Sequence, residues 1–147
     1  MKKGVTIGAV LVILGAAIFI YLNSKGDIAG GDNYPPTYLK YKNNINWNGG
    51  EDKPIISSAY FTGMARKAYE AAAAVPEVLD HLYCYCYCAE SHSHKSLRTC
   101  FTGNHGAGCD ICINEAILAR EMHEKGHSIN EIRDKIDSEF YRPYKPE

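Results

Sequence analysis

The residues able to do chemistry in this 147-residue chain are six cysteines, all within 29 positions from Cys84 to Cys112. Cys84, Cys86 and Cys88 alternate with Tyr83, Tyr85 and Tyr87 in "LYCYCYC". Cys100 follows in "RTCF", then Cys109 and Cys112 in "GNHGAGCDIC". Three chemistries suit such a set: a metal site, a thiol–disulfide couple, or a framework of structural bridges.

Metal leads. Structural zinc takes four Cys or His ligands, commonly as two close pairs from separate segments. Cys86 with Cys88, facing Cys109 with Cys112, supplies such pairs. Cys84, Cys100 and His105 would extend or gate the site, and His92 and His94 are further soft ligands. This surplus suggests more than one ion, or a thiol-rich Cu(I) site; soft thiolates select Zn and Cu(I) over Mg or Ca. His105 lies four residues before Cys109 among glycines, which allow close backbone approach. His92 and His94 in "ESHSHKS" read first as a polar loop, and His81, His123 and His127 as surface residues.

The redox alternative uses the same thiols. Cys109-Asp-Ile-Cys112 is a Cys-X-X-Cys at a helix start, a position that favours the thiolate. Cys109 or Cys112 would attack, with Cys88 or another cysteine of the first cluster as partner. No thioredoxin-like strand–turn–helix pattern surrounds it. The third reading, a docking subunit stapled by disulfides, follows from an even cysteine count in an exported segment. No phosphate-cradling glycine loop, Ser/His/Asp order or haem-attachment motif is present, so catalysis beyond redox chemistry has no visible basis.

The elements that must position these thiols read as helices. "SSAYFTGMARKAYEAAAAVPEVLDHLY" is rich in strong helix formers. Phe61, Met64, Ala65, Ala68, Ala72 and Val75 follow the spacing of a buried helical face. Pro76 ends or kinks this helix and opens another, with Val78, Leu79 and Leu82 inward. A third helix begins at Cys109 and Cys112, buries Ile113, Ala116, Ile117 and Met122, and stops at Gly126. Ser128 and Glu131 form a capping-box pattern before the stripe Ile129, Ile132, Ile136 and Phe140. The first cysteine cluster is either extended, with thiols on one side and tyrosines on the other, or helical.

The amino terminus differs in kind. Gly4 to Leu22 is an uncharged run of 19 residues behind Lys2 and Lys3. About 20 apolar residues span a bilayer core. The basic flank stays cytoplasmic, so the remainder faces outward. A cleaved signal peptide is the rival, but the run is long and ends in a poor cleavage context. Residues 1–25 hold three lysines and no acid, leaving 13 basic and 17 acidic residues, a net of −4. Without a basic stripe, nucleic acid is not an expected partner. The expected architecture is all-α: a transmembrane anchor over 1–25, a Gly/Asn/Asp/Pro-rich linker over 26–56 on which Tyr38, Tyr41 and Trp47 can pack, and a small helical bundle over 57–147 built around a cysteine-rich loop.

The segments "LYCYCYC", "HKSLRTCF", "HGAGCDICINEA" and "INEIRDKID" resemble the CYCXC or PCYCGC family of small exported prokaryotic proteins. The resemblance covers about Pro76 to Phe140, in the order and spacing of all six cysteines. It implies an extracytoplasmic, membrane-attached location at the plasma membrane of a prokaryote, where a membrane-protein or redox partner is expected. Some relatives carry selenocysteine at a cysteine position, which implies redox chemistry or soft-metal binding rather than inert bridges. The chain departs from the PCYCGC variant in having Tyr83 and Tyr87 where that variant has Pro and Gly. It also has no lipid-attachment cysteine.

Overall fold

Short local signals account for each element of the domain. The structure is a computed structural model that describes residues 34–145. The expected anchor and the start of the expected linker lie outside these residues. Six α-helices follow in order among the described residues, with no strand. They are α1 (Pro36–Lys42), α2 (Gly63–Ala74), α3 (Pro76–Asp80), α4 (Cys88–Ser91), α5 (Asp110–Glu124) and α6 (Ile129–Phe140). Three 3-10 turns intervene, Ser58–Tyr60, Leu97–Phe101 and His105–Gly108. No helix among the described residues is long and apolar enough to cross a membrane.

Alanine-rich α2 buries Ala68, Ala71 and Ala72, small side chains that let it lie close along α5. The predicted inward face needs one correction. Met64 is exposed, whereas Tyr69, outside that predicted face, is fully buried. Its ring stacks on Phe61 at 4.0 Å between centroids and meets Phe101 edge-on at 5.0 Å. Its hydroxyl donates to the Gly103 carbonyl at 2.6 Å, so an aromatic with a polar end took the inward position. Val75 leaves helical geometry at φ −135° and ψ 50°, and Pro76 opens α3 as expected. Val78, Leu79 and Leu82 are buried. Helix α5 closes at Gly126 (φ +85°), which supplies the left-handed residue past the last turn. The Ser128–Glu131 capping box starts α6, which buries Ile132 and Ile136.

Residues 34–56, expected as part of a linker, are packed. Tyr41 is fully buried and Tyr38 nearly so. The buried Arg133 guanidinium of α6 donates to the carbonyls of Tyr41 (2.7 Å), Asn44 (3.0 Å) and Ile45 (2.6 Å). It also lies 4.3 Å above the Tyr41 ring. The Asn- and Gly-rich composition reflects ordered turns: Asn44 Oδ1 accepts from Asn46 N–H and Asn48 Oδ1 from Gly50 N–H. Further on, the buried Asp80 carboxylate accepts from Glu51 N–H and from Ser96 Oγ at 2.6 Å. These bonds fasten the segment to the end of α3.

Candidate metal centre

The first cysteine cluster is neither strand nor helix. Cys84 C=O accepts from Tyr87 N–H at 3.0 Å, closing a tight turn. Tyr87 then takes the left-handed conformation, φ 62° and ψ 29°, before α4 starts at Cys88. This is the position that carries Gly in the PCYCGC variant, and glycine meets no Cβ penalty there. Although the segment is not extended, the two faces separate as alternation would separate them. Cys84 Sγ lies 3.4 Å from Cys86 Sγ and 3.7 Å from Cys88 Sγ. Tyr83, Tyr85 and Tyr87 point away and pack edge to face, with centroids 5.5 and 6.0 Å apart.

The remaining thiols and His105 arrive from three other elements. Cys100 comes from the 3-10 turn Leu97–Phe101, with Sγ 3.4 Å from Cys88 Sγ. Cys112, in the first turn of α5, lies 3.3 Å from Cys84 Sγ and 3.5 Å from Cys86 Sγ. His105 Nε2 stands 3.4 Å from Cys88 Sγ. Its loop can sit this close because of Gly106. A Cβ there would stand 2.9 Å from the Phe101 ring and 3.0 Å from the Cys100 carbonyl. All six cysteines are free thiols.

Two four-ligand groups emerge, each with its ligand atoms within 4.8 Å of one another. One is Cys84, Cys88, Cys100 and Cys112; the other is Cys86, Cys88, His105 and Cys112. The thiols Cys86, Cys88 and Cys112 of the expected primary set are thus together, joined by Cys84, Cys100 and His105. Cys109 belongs to neither group. Its Sγ instead caps α5, accepting from Cys112 N–H at 3.5 Å. Soft thiolates such as these suit both Zn and Cu(I).

The thiols polarise one another. Hydrogen bonds from Cys100, Cys109, Cys112 and Cys84 pull the Cys86 pKa far below the ordinary thiol value. Hydrogen bonds from Cys100, Cys112 and Cys84 hold Cys88 down to about 2. Burial pushes Cys84 up, and hydrogen bonding with Cys112 raises Cys100. At Cys109 the bond to Cys112 pulls down, but the contact with Cys86 and burial outweigh it, so the net shift is upward. A metal binding to these thiols would displace the protons they hold.

One participant, Glu115, was missed in the sequence, and another, His94, counts there as a further soft ligand but reads first as loop. His94 sets Nδ1 3.3 Å from Cys100 Sγ. With His92 and His105 it forms a group of three imidazoles, whose centroids lie 4.6 to 5.8 Å apart, beside the thiols. Glu115 is fully buried one turn beyond Cys112. Its Oε1 accepts from Tyr85 N–H at 2.9 Å, and its Oε2 has no hydrogen-bond partner. Burial raises its pKa well above the carboxylate range. The signal for Glu115 was present, since it shares the helical face of Cys112, Ala116 and Ala119. His94 counts among the soft ligands, but its approach depends on the fold of the 92–100 loop.

Residues 58–147 match a family described as proteins of unknown function with a PCYCGC motif. Comparison with curated proteins and with solved structures yields no match.

Proposed function

We propose that the chain, which belongs to the PCYCGC-motif family, binds a soft metal ion, Zn²⁺ or Cu(I), through its thiol cluster. The observation that carries this reading is the convergence of five thiols and one imidazole from four separate elements into overlapping four-ligand groups. Structural zinc is held by four thiolates or imidazoles, and four of these thiols are buried, where a binding ion repays desolvation. The protein works outside the cytoplasmic membrane, tethered by the apolar run Gly4–Leu22. That run is long enough for a bilayer, and its basic flank sets the orientation. Trafficking, sensing or storage of the metal for a membrane or redox partner follows from this placement.

A second reading rests on Cys112, whose Sγ is 3.3 Å from Cys84 Sγ. A modest side-chain rotation would allow a bond of about 2.05 Å. The two thiols would then give two electrons and two protons to an oxidising partner.

The test is the protein purified anaerobically without chelator or affinity metal, with elemental analysis beside thiol titration in denaturant. Stoichiometric zinc or copper, with all six thiols titrating on denaturation, is expected. Absence of metal, with thiols appearing only after reductant, would replace the metal reading by the redox one or by structural bridges. A reversible two-electron couple between about −350 and −100 mV separates those two.

A further inference from the structure

The two ligand groups share an edge. Cys88 and Cys112 belong to both; Cys84 and Cys100 complete one, Cys86 and His105 the other. Each shared thiol is flanked by one ligand of each group. Cys112 Sγ lies 3.3 Å from Cys84 and 3.5 Å from Cys86. Cys88 Sγ lies 3.4 Å from Cys100 and 3.4 Å from His105 Nε2. A tetrahedral ion with sulfur at about 2.3 Å requires sulfur–sulfur edges of about 3.8 Å. These sulfur pairs, 3.3 to 3.5 Å apart, widen by up to about 0.5 Å to reach this value. With an ion in each group, Cys84 Sγ and Cys86 Sγ, 3.4 Å apart and terminal on different ions, must swing to a separation of about 5 Å by side-chain rotation.

Resting on the metal-binding reading above, we propose that the cluster holds two ions bridged by the Cys88 and Cys112 thiolates. An inner ion has an all-sulfur set (Cys84, Cys88, Cys100, Cys112), and an outer ion has three sulfurs and the His105 imidazole. Charge points to Zn²⁺ as the occupant of both. Five thiolates with two divalent ions leave one net negative charge, whereas two Cu(I) ions leave three. Uncompensated charge is costly in a buried site. The sites are unequal. All four inner ligands are buried, while Cys86 and His105 are only half-buried and each lines a surface cleft. The inner ion is therefore retained, and the outer ion exchanges with solution or a partner.

The experiment is titration of the metal-free full-length protein with Zn²⁺ alone, and separately with Cu(I) alone, read by native mass spectrometry and chelator competition. Two zinc ions per chain are expected, released in two steps, the outer at least tenfold more readily. Cys86→Ser with His105→Ala removes only the readily released ion. Cys100→Ser removes the retained one, and Cys112→Ser lowers the count from two to none. ¹¹³Cd substitution of the unaltered protein provides a readout that needs no variant: two resonances coupled through a shared sulfur are expected. A limit of one ion, with a single uncoupled resonance, would overturn the two-ion proposal and leave the metal reading standing. Preferential filling by Cu(I) over zinc would overturn the assignment to Zn²⁺. No binding of either ion would overturn the metal reading itself.

Discussion

The seven residues from Leu82 to Cys88 present two faces of opposite character. On one, Tyr83, Tyr85 and Tyr87 join Tyr38, Tyr41 and Tyr141 in a nearly continuous aromatic layer. Several of its hydroxyls end on fixed partners, while the buried Tyr83 hydroxyl has none. Asp137 of α6 accepts from Tyr41 at 2.7 Å, Tyr85 at 2.5 Å and Lys42 at 2.7 Å, and Tyr87 donates to the Arg142 carbonyl. Burial and Asp137 together push the Tyr41 and Tyr85 hydroxyls above the ordinary phenol range, so they remain donors. On the other face, the thiols have chiefly one another and two histidines. The tyrosine face thus holds the turn in place and the thiol face is left free to take ligands. Positioning of this kind lowers the ordering cost of binding.

This division can be broken from the tyrosine side first. Arg133→Ala removes three hydrogen bonds from a buried guanidinium and its contact with the Tyr41 ring. A loss of about 3–5 kcal/mol is expected from denaturant unfolding of the metal-free protein. The metal content per folded chain should not change. Equal losses of stability and metal stoichiometry would show that the two faces are not separable.

A smaller effect is expected at Tyr85. Tyr85→Phe deletes a hydrogen bond to a charged acceptor, costing about 1.5–3 kcal/mol, while Asp137 keeps Tyr41 and Lys42. The same unfolding experiment measures it, and thiol reactivity should rise as the turn loosens. Unchanged stability would mean that the aromatic layer alone holds the turn.

Tyr87 sharpens the comparison by a reversal of order. Elsewhere an Ala variant is generally the more stable of an Ala/Gly pair, but Tyr87 has φ 62°. A left-handed conformation costs a residue with Cβ about 1–2 kcal/mol. Both variants lose the packed ring, so the Gly variant should exceed the Ala variant by about 1 kcal/mol in thermal or denaturant unfolding. The opposite order would mean that the turn relaxes once the ring is gone.

How far the sequence revealed this arrangement depends on the range of each interaction. Helices α2, α3, α5 and α6 were legible because capping, proline placement and apolar spacing act locally; Pro76, Gly126 and the Ser128–Glu131 box occupy the positions expected of them. Packing of residues 34–56 was legible only in its aromatics, Tyr38, Tyr41 and Trp47, and not in what fastens the backbone. That fastening depends on Arg133, some 90 residues downstream, whose bonds go to backbone carbonyls that any sequence offers. In the site, the cysteine spacing pointed to a cluster, and Cys86, Cys88 and Cys112 do meet. Local reasoning paired Cys109 with Cys112 because they are three apart at a helix start. The same proximity to the start lets Cys109 spend its sulfur on the cap. Cys100 and His105 looked peripheral because their approach depends on two turns packed together, where a Cβ at Gly106 would meet the Phe101 ring and the Cys100 carbonyl.

The smallest effect lies away from both faces. The Glu51 carboxylate is buried, which alone would raise its pKa. Bonds from Lys53 N–H and the Thr99 hydroxyl, with the Lys95 charge, outweigh burial and lower it. A depressed folded-state pKa gives stability that is complete above the unfolded value of about 4.3. That stability is lost as pH falls through the folded value. Glu51→Gln should therefore weaken the acid dependence of unfolding below about pH 5 and leave metal stoichiometry unchanged at neutral pH. An unaltered acid limb would remove Glu51 from this account.

The most direct test of the thiol face as a metal centre is X-ray absorption at the metal edge of the full-length protein, loaded with Zn²⁺. The account predicts a four-coordinate shell dominated by sulfur at about 2.3 Å, with a minor nitrogen contribution near 2.0 Å. A shell of only nitrogen and oxygen would place the ion elsewhere and contradict the claim that these cysteines exist to hold it.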